Sequence, residues 1–92
     1  MKTAQTTVKN VSGLHARPAS DFVGTAKTFQ SAITIRVADR PMDSGVNAKS
    51  IIRLLSLGIA AGTRGEIAAD GPDEAEAVLA LVSLVDSGFG EE

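Results

Sequence analysis

Cysteine is absent from the 92 residues, which excludes disulfides, thiol catalysis and cysteine-bound metal. With only one histidine besides, a zinc site is not expected, nor is any other metal or cofactor. Tryptophan and tyrosine are missing, phenylalanine occurs three times, and the basic residues form no dense cluster. That leaves no stacking platform for bases, so nucleic acid is not an expected partner. No run is long and apolar enough to span a bilayer, and the first seven residues lack the apolar core of a signal peptide. A cytoplasmic protein without membrane insertion is expected. The length suits one domain over residues 1–92, with enough chain for a single core, and a monomer is expected.

The charges are segregated. Residues 1–63 carry eight Lys/Arg and three acids, a net +5, whereas residues 64–92 carry Arg64 and eight acids, a net −7. The single histidine, His15, and Arg17 lie in the basic part, which favours an acidic partner there. They belong to the stretch Ser12-Gly13-Leu14-His15-Ala16-Arg17-Pro18-Ala19-Ser20, where a loop is predicted to turn into a helix. A neutral imidazole is available as a nucleophile near pH 7. A helix start offers unpaired N–H groups and a positive dipole end, which suit a phosphate. Together they point to phosphoryl chemistry on His15.

Hydrophobic periodicity predicts the elements. Thr6 to Val11 is β-prone. Residues 16–29 predict a helix, with Ala19, Phe22, Val23, Ala26 and Phe29 on one stripe and Pro18 in the first turn, where its missing N–H costs nothing. Ala32 to Val37 alternates as a half-buried strand. Residues 39–45 are rich in turn formers, with a short weak strand towards their end. Ser50 is placed to cap a short helix that stops near Gly58. Residues 65–69 form a further strand. Gly71-Pro72-Asp73-Glu74 is a helix start, and the helix from Glu74 to Val85 is predicted to turn Ala75, Val78, Leu79, Val82 and Val85 inward. The order β-α-β-β-α-β-α implies an α+β fold: four strands, mainly antiparallel, with three helices on one face.

The chain resembles the histidine-containing phosphocarrier (HPr) family of the sugar phosphotransferase system. Gly13 to Ala19, Asn47-Ala48-Lys49-Ser50-Ile51, Leu55 to Gly58 and the tail Gly88-Phe89-Gly90-Glu91-Glu92 carry the resemblance, which covers nearly the whole chain. It implies an open-faced β-sandwich, and a carrier rather than an enzyme. His15 would accept a phosphoryl group on Nδ1 from enzyme I and pass it to IIA proteins or domains, with Arg17 as the anion partner. The N–H groups of Ala16 and Arg17 and the hydroxyl of Ser12 would contact the phosphate. Docking would use Ala16, Ser20, Ile51, Ile52 and Leu55, fringed by Arg17, Lys27, Lys49 and Arg53. Ser50 matches a serine that an HPr kinase/phosphorylase modifies in many Gram-positive members, and the modified form is read by a catabolite-control transcription factor. Three features depart from the family pattern. Arg53 stands where many serine-regulated members have glycine, Ile52 replaces a common methionine or phenylalanine, and the 38–45 connection is longer. A regulatory phosphoprotein and a nitrogen-type phosphorelay module are the alternatives. A self-sufficient enzyme would need a second catalytic cluster, and the sequence contains none.

Overall fold

The computed structural model describes residues 1–40 and 44–90; the middle of the turn-rich 39–45 connection and the acidic pair of the tail lie outside the described residues. Strands β1 (Lys2–Thr7), β2 (Ala32–Val37), β3 (Val46–Asn47) and β4 (Arg64–Asp70) and helices α1 (Ala16–Ala26), α2 (Ile51–Ser56) and α3 (Glu74–Asp86) follow one another as β1-α1-β2-β3-α2-β4-α3. A short 3₁₀ turn, Gly88–Gly90, follows α3. The four strands form one antiparallel sheet in the order β1-β4-β2-β3. The helices cover one face and leave the other open, as expected for an open-faced sandwich. Ile33, Ile35 and Val37 of β2 and Ile67 and Ala69 of β4 point into the core. There they meet Phe22, Leu54 and Leu81 from the three helices. On the open face, Arg36 of β2 sits opposite Glu66 of β4 in register, and its Nε donates to Oε1 at 2.8 Å.

Three predicted elements are corrected. The first strand runs from Lys2 to Thr7, not from Thr6 to Val11. Its inward residues are small or polar, so it carries no apolar alternation. Thr6 is buried because its hydroxyl donates to Asp86 Oδ1 at the end of α3, which satisfies a group that would otherwise be costly to bury. Beyond β1, Val8 enters the core and the chain leaves the sheet in a turn closed by Gly13 N–H to the Asn10 carbonyl at 3.1 Å. Helix α1 stops at Ala26, short of Phe29. Residues 27–29 continue as tight turns, in which the Thr28 hydroxyl donates to the Thr25 carbonyl and Lys49 Nζ to the Phe29 carbonyl, each at 2.7 Å. The phase of α3 also differs. Ala77, Val78, Leu81 and Val85 are buried, whereas Ala75 and Leu79 are exposed and Val82 is half-buried. Apolar residues occupy nearly every turn of α3, so periodicity alone cannot select the inward face.

The start of α3 is anchored across the fold. The Asp73 carboxylate accepts from the N–H groups of Gln30 and Ser31 at 2.8 and 2.9 Å and from the Ser31 hydroxyl at 2.5 Å. The Ser31 hydroxyl, followed by the Gln30 N–H, holds this carboxyl below its ordinary range. A carboxylate with a depressed folded-state pKa contributes stability above its unfolded pKa, and that contribution is lost on acidification. Asp73→Asn should therefore lower the melting temperature at pH 7. Below about pH 4 the wild type should lose this advantage, so the two melting temperatures converge. Melting curves from pH 7 to pH 2 check this; a constant difference across the range would contradict it.

Candidate functional site

His15 is the residue immediately before α1. Its backbone is extended (φ −133°, ψ 162°), and its side chain makes no capping hydrogen bond. The imidazole is exposed and is not spent on closing the helix. The next residue, Ala16, takes φ +52°, a left-handed conformation that costs a non-glycine residue about 1–2 kcal/mol. This bend separates the imidazole from the regular part of the helix and leaves the first N–H groups of α1 as donors without intrahelical acceptors. Arg17 and Ser20 are exposed one turn along, while Pro18 and Ala19 are buried and fix the helix on the core.

Two loops hold the position of His15. Gly13 is buried at φ +65°, and a Cβ there would lie 2.6 Å from the Ile59 carbonyl oxygen and 2.8 Å from Ala60 Cα. Only glycine allows this approach. It lets Leu14 N–H donate to the Ile59 carbonyl at 3.0 Å while the Leu14 side chain is fully buried. Asn10, itself buried, donates Nδ2–H to the Gly13 carbonyl at 2.9 Å. Gly62 N–H donates to the Val8 carbonyl at 2.7 Å, and Val8 N–H to the Thr63 carbonyl at 2.9 Å. His15 thus projects from a loop clamped at both ends.

Arg17, Pro18 and Asp21 of α1 line a hollow of about 390 Å³ together with Phe89 and Gly90. The contribution of the chain's last described residues to this rim was not legible from their composition. The one local signal is Phe89 between two glycines, and it adopts φ +57°. Among the described residues Arg17 has no ion pair. Its guanidinium fork can meet an incoming oxyanion without first breaking a bond. Asp and Glu side chains do not gather with His15 into a metal site among the described residues.

The other predicted residues fall on the neighbouring face, where α1 packs against α2. Ser50 caps α2, its hydroxyl oxygen accepting from Arg53 N–H at 3.3 Å. Ile51, Ile52 and Leu55 are 38%, 77% and 41% exposed, too much for a pure core role. Between the helices, Ser20, Val23, Gly24, Lys27 and Ile51 line a shallow hollow of about 270 Å³. Ala16, Ser20, Lys27 and Arg53 are exposed. Lys49 is half-buried, and its ammonium is engaged with the Phe29 carbonyl. That makes it a tie between the α1–β2 turn and the β3–α2 connection as well as a positive charge. No helix among the described residues is long and apolar enough to cross a membrane.

The comparisons with known proteins fit this arrangement. Residues 2–87 match the family model described as the PTS HPr component phosphorylation site. Phosphocarrier protein HPr of Neisseria meningitidis is 45% identical over 82 residues, covering 89% of this chain and 88% of that protein. Phosphocarrier protein NPr of Proteus mirabilis is 40% identical over 87 residues, covering 92% and 91%. The crystal structure of HPr-C-His from Thermoanaerobacter tengcongensis superposes with a TM-score of 0.92 at 47% identity, covering 100% of this chain and 99% of that one. With its exposed, uncommitted imidazole at the start of α1 and its open-faced sheet, this chain belongs to the HPr/NPr family of phosphocarriers of the phosphotransferase system.

Proposed function

We propose that His15 accepts a phosphoryl group on Nδ1 from phosphoenolpyruvate-charged enzyme I in the cytoplasm and passes it to a IIA protein or domain in sugar uptake. The nitrogen lone pair attacks phosphorus as the bond to the donor breaks, and the same exchange runs in reverse on the acceptor. The observation that carries this is the exposed imidazole, free of any capping bond, beside an arginine with no ion pair among the described residues. The chain supplies a nucleophile, a bent helix start and one guanidinium. Phosphoryl transfer is dominated by positioning and electrostatics, so the partner can supply the rest. The Ser12 hydroxyl and the N–H groups of Ala16 and Arg17 are the remaining contacts proposed for the phosphate. An exposed dipole contact of about 0.3–1 kcal/mol suits a group that must leave again. Incubation with phosphoenolpyruvate and enzyme I should add one acid-labile phosphoryl group by mass. His15→Ala should show no gain, and a gain in that variant would overturn the assignment.

Ser50 is proposed as a regulatory site for an HPr kinase/phosphorylase. It sits on the same face, at the start of α2, where a phosphate is locally tolerated but adds about −1.5 to −2 charge beside Arg53 and Lys49. Ser50→Asp should slow phosphoryl uptake from enzyme I severalfold; equal rates would remove this role. A nitrogen-type phosphorelay is the second reading, favoured by the NPr relative. Comparing uptake from the sugar-type and nitrogen-type enzyme I of one host separates the two.

A further inference from the structure

The exposed residues of α1 border two separate hollows. Ser20 and Gly24 line the shallow one between α1 and α2, with Lys27, Val23 and Ile51. Arg17 and Asp21 line the other, with Phe89 and Gly90. Asp21 is the one acid of α1 and of the first 38 residues, in the basic part of the chain. It is exposed. Like Arg17, it has no ion pair among the described residues. It stands outside the docking surface expected from the sequence, so the resemblance gives it no role.

Residues four apart on a helix are neighbours, with Cβ atoms about 5–6 Å apart, so the Asp21 carboxylate is within reach of the Arg17 guanidinium. The pair does little for α1 itself. A cation in the first turn opposes the helix dipole, and a base before an acid at this spacing stabilises less than the reverse order. Its position relative to His15 is more telling. Asp21 lies about 6 Å along the axis beyond Arg17, and His15 lies two residues further back, in extended backbone. Direct repulsion between Asp21 and a phosphoryl group on His15 is therefore screened, since surface charges act over about 8 Å at physiological salt. Arg17 stands between the two in the chain, and its long side chain can face either.

We infer that Asp21 is a positioning residue that draws the Arg17 guanidinium away from His15 when the phosphoryl group is handed on, and so limits how firmly the charged carrier holds that group. This rests on the carrier function proposed for His15. In onward transfer the bond from Nδ1 to phosphorus breaks as the bond to the acceptor forms, and the phosphoryl group leaves with its three oxygens. Arg17 then faces no anion, and the nearest acid on its helix is one turn away. An exposed ion pair biases the guanidinium by about two- to fivefold, weak enough to be made and broken in every cycle.

The test is the equilibrium distribution of phosphoryl groups between enzyme I and the carrier at a fixed ratio of phosphoenolpyruvate to pyruvate, read by mass. Asp21→Asn should shift it towards the charged carrier by about two- to fivefold, with the melting temperature unchanged. Asp21→Glu should restore the wild-type distribution. The shift should shrink at high salt, because the pair is exposed. In an Arg17→Ala background Asp21→Asn should change nothing further, which a purely structural role for Asp21 would not produce. An unchanged distribution in Asp21→Asn overturns the inference. A shift of equal size in the Arg17→Ala background overturns the route through Arg17 and assigns the effect to direct repulsion. In either case wild-type uptake that disappears in His15→Ala shows that the carrier function stands. Absence of uptake by the wild type overturns the carrier function, and the role of Asp21 with it.

Discussion

Replacing Gly13 with alanine should destabilise the protein by about 3 kcal/mol, from a left-handed backbone that costs alanine roughly 1–2 kcal/mol and overpacking that costs about as much again. The added methyl would meet the Ile59 carbonyl oxygen at 2.6 Å and Ala60 Cα at 2.8 Å. Both are backbone atoms, so no side chain can swing away to relieve the contact. The chain has to part at the Leu14–Ile59 bond, which otherwise seals the fully buried Leu14 into the core. For a domain of this size each kcal/mol shifts the melting temperature by about 4–8 °C, so a fall of roughly 10–20 °C is expected in thermal unfolding. Phosphoryl uptake should fall as well, because the same bond sets the direction of His15. A melting temperature within about 2 °C of wild type would show that the two loops separate at little cost.

Ala16 offers the opposite sign at a similar conformation. Its φ of +52° is strained for alanine and ordinary for glycine. Because Ala16 is exposed, its side chain has little packing to lose. Ala16→Gly should raise stability by about 0.5–1 kcal/mol, read as a rise in the denaturation midpoint with an unchanged slope. A fall in the midpoint would mean that the bend at Ala16 carries no strain.

Arg17→Ala should reduce phosphoryl uptake by roughly 10–100-fold, the loss of a charge-assisted hydrogen bond of about 1.5–3 kcal/mol. The guanidinium has no ion pair among the described residues, so its removal leaves no buried charge unpaired and the melting temperature should barely change. Arg17→Lys should fall between the two, keeping the charge and losing the planar fork. Uptake rates at saturating donor, compared with melting temperatures of the same samples, separate a direct role from a folding defect. An Arg17→Ala carrier with wild-type rates would place phosphate recognition wholly on the backbone and the partner.

The helix start at Ala16, with His15 just before it and Arg17 just inside it, was legible in the sequence because its signals are local: a glycine in the preceding turn and a proline in the first turn of the helix. Ser50 was legible for the same reason, a short polar residue ahead of an apolar run, and the Arg53 N–H to Ser50 bond is that signal realised. Strand β2 matched residue for residue because its alternation is strict. Other features depended on partners distant in the chain. β1 shows no apolar period, since Thr6 is buried on the strength of a bond to Asp86 eighty residues away. The inward face of α3 is chosen by what it packs against, because the sequence offers apolar residues on several faces. Lys49, expected in the charged fringe of the docking surface, is half-buried and holds the Phe29 carbonyl.

The sequence by itself determined where the lone imidazole stands and where a helix begins beside it, since residue type and helix-start signals are properties of neighbouring residues. Only the tertiary structure decided what surrounds that imidazole. Hydrogen bonds between loops about fifty residues apart in sequence clamp the segment before His15, and the turn after α3 places Phe89 and Gly90 on the rim of the Arg17 hollow. These contacts depend on the sheet bringing distant segments together, and no local pattern records that proximity.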